Sequence, residues 1–513
     1  MLAILSNIVD MQITVYGGAG VIGGNKVHVD LGDRGLFFDF GEPFDIGNRY
    51  FTEYMRPRQG RGLKDYFLMD MLPRMDCYRE DLFPVDAGRE ILSPASVDAL
   101  FLSHAHFDHY GHAGFLRDDI PIVSSPMTYA ILRSATELRS SSAPIDLFDH
   151  VKKVAKEEEP RVLVTPKTKK DKETCGHRWV LTGEVIADDH SWKKGQACTV
   201  EKGDGEINGI EYQAFPVDHS IYGATAFAVR RKDEDWLIYS GDLRMHGVNG
   251  HLTEEFADTA RALGSKALII EGTRMGRSDD EKEMTEAMVH ENCRAAVEEG
   301  DGLTIADFSA SNFERLDSFI DIARKTGKRM VVTYRDVAAL ESIAKVDGNV
   351  RKDDLWVYRA LGSDDLEMVE ALRDDGWQVA DPEDITADPG EHTLCFSFWD
   401  MTKLLDLRWK GGTYIYSNSM AYDLKQTDNL QKLMNWIELF GFRCRGLAMV
   451  DGKLDFEKGF HASGHLSPRD LWKVVERIDP EVVVPVHCSD PDGFARDCPI
   501  RTVVPEKGRP IIL

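Results

Sequence analysis

No Cys-x-x-Cys pair occurs anywhere in the 513 residues. The eight cysteines (Cys77, Cys175, Cys198, Cys293, Cys395, Cys444, Cys488 and Cys498) are scattered, which argues against a disulfide framework and fits a reducing cytoplasm. Positive charge is scarce: 62 Lys and Arg stand against 87 Asp and Glu, for a net charge of −25. Broad, non-specific attraction to nucleic acid needs a positive field, so this balance excludes it while leaving room for a local basic groove. Long apolar runs are missing as well, and none approaches the roughly 20 residues of a membrane-spanning helix. The first ten residues lack the basic lead and the apolar length of a secretory signal. These absences describe a cytoplasmic protein with no membrane partner.

What is present is 42% hydrophobic and 29% charged, the make-up of a globular protein. Its length implies two domains, or one large domain with an insertion. Four of the 16 histidines fall between His104 and His112, directly after the apolar run Val97 to Leu102, which reads as a buried strand. The stretch His104-Ala105-His106-Phe107-Asp108-His109 offers imidazole and carboxylate, preferred ligands of zinc and similar cations. At the end of a strand, two of its imidazoles can face one ion while the carboxylate and a third imidazole face another. Two ions about 3.5–4 Å apart make a hydrolytic clamp.

Elsewhere the chain alternates between two patterns. Near the start, Gly18, Gly20 and Gly23 match a dinucleotide fingerprint, but strand-like segments flank them on both sides, so the turn reads as a hairpin. A third strand ends at Asp39. Residues 42–95 form a long connection whose basic portion spans Arg56 to Lys64. Residues 149–202 read as an irregular, charged surface excursion. Cys175, His177, His190 and Cys198 lie in it at spacings that match no common zinc ribbon. Strands then return, ending at His219, at Asp242 and near Glu271. From 276 to about 455, strands alternate with helices, which implies a parallel sheet. The first pattern resumes at His461-Ala462-Ser463-Gly464-His465 and closes with a strand ending at His487.

The His-x-His-x-Asp-His stretch resembles the signature of the metallo-β-lactamase superfamily. The inserted α/β segment, the closing His461-to-His465 motif and His487 resemble its β-CASP nuclease branch, and within it the ribonuclease J group. The resemblance implies an αββα sandwich, residues 1–275 and 456–513, with an inserted parallel-sheet β-CASP domain, 276–455. It implies that His104, His106 and His219 hold one metal, that Asp108, His109 and His487 hold a second, and that Asp242 bridges them. Two Zn²⁺ are expected, with Mn²⁺ or Mg²⁺ as substitutes for one. Asp39 would brace the metal loop from behind. His465, oriented by Glu271, would protonate the leaving oxygen, and single-stranded RNA would be the substrate. Three polar loops would cradle phosphates: Ser311 with Asn312, Ser417 with Ser419, and His461 with Ser463 and Gly464. Helix capping is the ordinary explanation of Ser-Asn before a helix. DNA, or a small ester or thioester, is the alternative substrate, and a homo-oligomer is left open.

Overall fold

The computed structural model describes residues 11–52, 55–137, 143–185, 197–276, 283–362, 365–418 and 424–513. Two sheets face each other. The first has eight strands, in the order Thr199–Lys202, Arg178–Leu181, Ile122–Ser124, Ala99–Phe101, Gly35–Phe38, Lys26–Asp30, Gln12–Gly17 and Pro510–Ile512. The second has six: Glu206–Ile207, Ile210–Pro216, Thr225–Arg231, Leu237–Tyr239, Ala267–Glu271 and Val482–Val486.

Side-chain alternation explains the sandwich. In Gly35–Phe38, Leu36 and Phe38 point into the space between the sheets, and Phe37 points to the outer layer. In Ala267–Glu271, Ala267 and Ile269 face inward, while Leu268 and Ile270 face outward. The two inner faces meet where Phe38 stacks on Tyr239, with ring centroids 4.7 Å apart. Helices Gly250–Leu263 and Pro468–Ile478 cover the outside of the second sheet through Phe256, Ala260, Leu471 and Val475. Both faces of these strands are buried, so their sequences read as near-continuous apolar runs.

The third sheet has seven strands, all parallel, and draws only on Thr304–Asp307 through Arg443–Arg445. The chain leaves the second sheet at Glu271 and returns at Val482–Val486, which pairs directly beside Ala267–Glu271. The fold is therefore a two-sheet α/β sandwich carrying an inserted parallel-sheet domain. Helix Pro126–Glu137 of the sandwich packs on helix Tyr334–Asp347 of the insert. Nearby, Tyr222 donates a hydrogen bond to Asp317 (2.9 Å) and contacts the Phe313 ring. Among the described residues no helix is long and apolar enough to cross a membrane.

Two stretches differ from expectation. The excursion 149–202 contains ordered strands, and Arg178–Leu181 is a member of the first sheet with Trp179 fully buried. That strand has only four residues and sits among lysines and glutamates, so its burial is invisible in composition. The connection 42–95 supplies core: Leu63, Phe67, Leu72, Cys77, Tyr78 and Leu82 pack against Phe37 and Phe40. In its basic portion, Arg58 pairs with Asp65, while Arg61 and Lys64 both pair with Asp86.

Candidate metal centre

Strand Ala99–Phe101 ends just before Ser103, and the loop that follows is pinned by backbone bonds. Asn25 N donates to Asp108 O (3.0 Å) and Phe40 N donates to His109 O (2.7 Å). Gly41 lies so close that a Cβ there would sit 1.6 Å from the Asp108 carbonyl oxygen. The glycine-rich turn binds no phosphate helix. It joins two antiparallel strands, and the Gly18 carbonyl accepts the backbone N–H of His487 (2.9 Å).

The loop brings two groups of side chains together. In the first, His104 Nε2 and His219 Nε2 each lie 3.1 Å from His106 Nδ1 and 3.7 and 3.8 Å from Asp242 Oδ2. In the second, His487 Nε2 is 3.1 Å and His109 Nε2 3.8 Å from Asp108 Oδ2. Asp242 Oδ2 lies between the groups, 3.3 Å from His109 and 4.0 Å from His487. Thus seven side chains from four distant parts of the chain converge, and within each group the candidate ligand atoms lie within 4.8 Å of one another.

The donor chemistry fits divalent cations. A hydrogen bond can join one pair of the three imidazole nitrogens around His106, and it leaves the third facing them unsatisfied. The buried Asp242 Oδ1 has no hydrogen-bond partner among the described residues. Burial, then the neighbouring imidazoles, push His104 and His219 well below the ordinary histidine range. Neutral imidazole is the form that ligates a metal. Burial alone would raise Asp242, but the surrounding histidines, led by His487 and His109, hold its carboxyl well below the usual range.

Behind the centre, the outer ring nitrogens are fixed. Asp39 Oδ2 contacts His109 Nδ1 (2.7 Å) and accepts from Tyr239 Oη (2.6 Å) and Ser103 Oγ (2.8 Å). Ser103 Oγ also meets His104 Nδ1 (2.9 Å), and the Gly464 carbonyl meets His219 Nδ1 (2.6 Å). Thr273 Oγ1 donates to Glu271 and lies 2.7 Å from His487 Nδ1. Such partners set tautomer and ring direction. Ser103, Tyr239 and Thr273 were missed in the sequence because nothing in their types or spacing marks them. The only available signal was their position at or beside strand ends.

His465 sits at the rim. Its Nδ1 is 3.1 Å from both oxygens of Glu271 and 3.8 Å from Asp242 Oδ2. Its side chain is 19% exposed, whereas those of His104, His109, His219 and His487 are 0–2% exposed. Burial opposes its protonation, but Glu271 and then Asp242 outweigh this and raise its pKa.

The loop from His461 to His465 ties the centre to the inserted domain. His461 spans the carbonyls of Asn418 and Gly446, both at 2.6 Å. Ser417 Oγ is bonded by Arg315 and donates to the Phe460 carbonyl (2.7 Å). Asn312 caps helix Phe313–Thr326 by accepting from Arg315 N (3.0 Å), and Ser311 pairs with Ser309 at 2.9 Å. Ser463 Oγ accepts from His465 N (3.1 Å). Ser419 lies outside the described residues.

A buried ionic network completes the link. Arg244, fully buried, bonds Asp218 (3.1 Å), Glu286 (3.0 Å) and Glu314, and Arg315 bonds Glu286 (2.6 Å). Asp218 and Arg244 belong to the sandwich, Glu286 and Glu314 to helices of the insert, and Asp218 adjoins His219. Replacing Arg244 by Met leaves the buried Asp218 and Glu314 without their guanidinium, while Glu286 keeps Arg315. Denaturant unfolding should show a loss of about 3–5 kcal/mol. A change below about 1 kcal/mol would mean that solvent reaches the network.

The metallo-beta-lactamase superfamily model matches residues 75–166. Ribonuclease J of Pyrococcus abyssi is 24% identical over 405 residues, 76% of this chain and 74% of that protein. Ribonuclease J of Sinorhizobium meliloti is 20% identical over 485 residues, 90% of this chain and 70% of that protein. A crystal structure of a protein of unknown function from Enterococcus faecalis V583 superposes with a TM-score of 0.66 at 21% identity, covering 98% of this chain and 100% of that one, a likeness of fold. Residues 75–166 thus match the metallo-beta-lactamase superfamily, and over most of its length the chain is similar to proteins named ribonuclease J, a likeness that supports a metal-dependent hydrolase.

Proposed function

We propose that this protein is a zinc-dependent ribonuclease that hydrolyses phosphodiester bonds of single-stranded RNA, exonucleolytically from the 5′ end and endonucleolytically. The observation that carries this reading is the pairing of a seven-ligand centre with a rim imidazole locked to a buried carboxylate, His465 on Glu271. In this reading His104, His106 and His219 would hold one Zn²⁺ and Asp108, His109 and His487 the other, with Asp242 as the carboxylate available to both. Mn²⁺ or Mg²⁺ can replace one of them. The ions supply Lewis acidity and positive charge for the phosphodiester.

The remaining work falls to side chains. Glu271 fixes the proton of His465 on Nδ1, so Nε2 faces the substrate and carries a proton to the leaving 3′ oxygen. Residues 276–455 roof the centre, and 1–275 with 456–513 form its base. Ser311, Ser463 and the Gly464 backbone line the approach to the phosphates. Ser417, His461 and Asn312 are held by the protein's own groups, so they shape these loops rather than bind phosphate directly. The eight cysteines, none of them in a disulfide, suit a cytoplasmic setting. The relatives named ribonuclease J support RNA as substrate.

Digestion of end-labelled RNA and DNA of one sequence, beside a p-nitrophenyl ester, tests the proposal. Metal-dependent RNA cleavage with slow or no turnover of the other two is expected. Faster cleavage of DNA or of the ester would replace RNA as the substrate.

A further inference from the structure

A second cluster of metal-type ligands lies away from the catalytic centre and shares no residue with it: Asp118, His150 and His177. His150 lies on strand Asp149–Val151, which pairs with Thr174–Gly176. His177 leads into strand Arg178–Leu181, and Asp118 follows the catalytic loop. His150 Nε2 is 3.6 Å from Asp118 Oδ2, and His177 Nε2 is 3.8 Å from Asp118 Oδ1. Bonds of about 2.0–2.2 Å to a tetrahedral zinc set ligand atoms roughly 3.3 Å apart, close to this spacing.

Both imidazoles are buried, with side-chain exposures of 1% and 0%. Among the described residues neither ring of His150 nor His177 makes a hydrogen bond of ordinary geometry, although His177 approaches the Asp146 carbonyl. A backbone carbonyl behind one nitrogen is the usual setting of a metal-bound histidine. Two buried, unsatisfied imidazoles aimed at one carboxylate are costly in a protein interior and call for a partner.

The surrounding charge favours a cation. Arg79 is the nearest guanidinium, and it is engaged by Asp81 (2.9 Å) and Asp146 (3.6 Å). Lys152 is engaged by Glu173. With Asp118 included, three carboxylates face Arg79 and Lys153, leaving one negative charge in excess. Cys175 stands opposite His150 across the strands, but its thiol points towards Glu173 (3.8 Å) and is not among the three ligands.

We infer that Asp118, His150 and His177 form a structural site for a divalent cation of the zinc class. The ion clips the excursion after residue 149 to the sheet that carries the catalytic loop. Three protein ligands leave a fourth position for water.

Metal analysis of the purified, zinc-equilibrated protein tests the site without reference to activity. The double variant His150→Gln/His177→Gln is expected to lose about one zinc equivalent per chain relative to wild type. The converse variant, His104→Ala/His109→Ala/Asp242→Asn, which removes a ligand from each catalytic group, is expected to keep about one equivalent. Equal zinc content in wild type and the Gln variant would overturn the inference. If the Gln variant does not fold, a converse variant that holds no zinc would overturn it equally, leaving a metal-free polar cluster. Neither outcome bears on whether the chain cleaves RNA.

Discussion

Asp242→Asn should cut RNA cleavage by about 10³-fold or more, equivalent to ~4 kcal/mol of transition-state stabilisation. It should also lower zinc content at the catalytic centre. The reason is position. Asp242 Oδ2 lies within 4.0 Å of a ligand nitrogen from both groups, reaching His104, His219, His109 and His487, and it also lies 3.8 Å from His465. An amide retains the shape but removes the charge that balances these imidazoles and any bound cations. Neighbouring ligands cannot compensate, because their outer nitrogens are tied to Ser103, Gly464, Asp39 and Thr273. A variant that kept full metal content and wild-type rate would remove Asp242 from the chemistry.

The second large effect concerns His465. His465→Ala should retain zinc and lose about 10²–10⁴-fold in the rate of cleavage, the usual worth of a positioned general acid. The proton-donor role makes a sharper prediction than the loss itself. With sulfur in place of the leaving 3′ oxygen, the departing thiolate needs no proton, and the defect should shrink to within about tenfold. Glu271→Gln should show the same pattern at smaller size. Its carboxylate holds His465 but also accepts the Leu243 and Thr273 N–H groups, at 2.8 and 3.2 Å, so some structural loss accompanies it. An unchanged defect on the sulfur substrate would assign His465 to binding or packing rather than to proton transfer.

The parts of the molecule that were legible in the sequence share a physical cause. His104 to His109 places four chemically committed positions in one short loop, and the αββα strands announce themselves through runs buried on both faces. His219, Asp242 and His487 each follow such a run, but it is the resemblance to the metallo-β-lactamase superfamily that marks them as ligand candidates. The bracing groups could not be read this way. Tyr239 acts on Asp39 across 200 positions, and Thr273 acts on His487 across 214, so their meaning exists only in the fold. The strand at Trp179 was hidden for a related reason: a four-residue segment gains its burial from parallel partners on either side, Ile122–Ser124 and Thr199–Lys202. The polar loops are the least legible part. Ser417 and His461 have ligand-like side chains, and the protein's own Arg315 and backbone carbonyls engage them.

The connection between the insert and the metal centre bears on both large predictions. His465 stands at the end of a loop whose other end, His461, is anchored on the insert beside Ser417, while the Gly464 carbonyl bonds a metal-facing histidine. The Arg244 network joins the same two bodies from beneath. His465 and the seven converging side chains therefore share one frame, the accurate placement that proton transfer in the proposed reaction requires.

The central claim is that cations held by these seven side chains make the protein cut RNA. The most direct measurement strips the protein of metal and follows cleavage of end-labelled single-stranded RNA as Zn²⁺ is titrated back. Cleavage should be absent in the stripped protein and should rise with zinc occupancy of the catalytic groups. Undiminished cleavage without metal, or none at full occupancy, would contradict the claim.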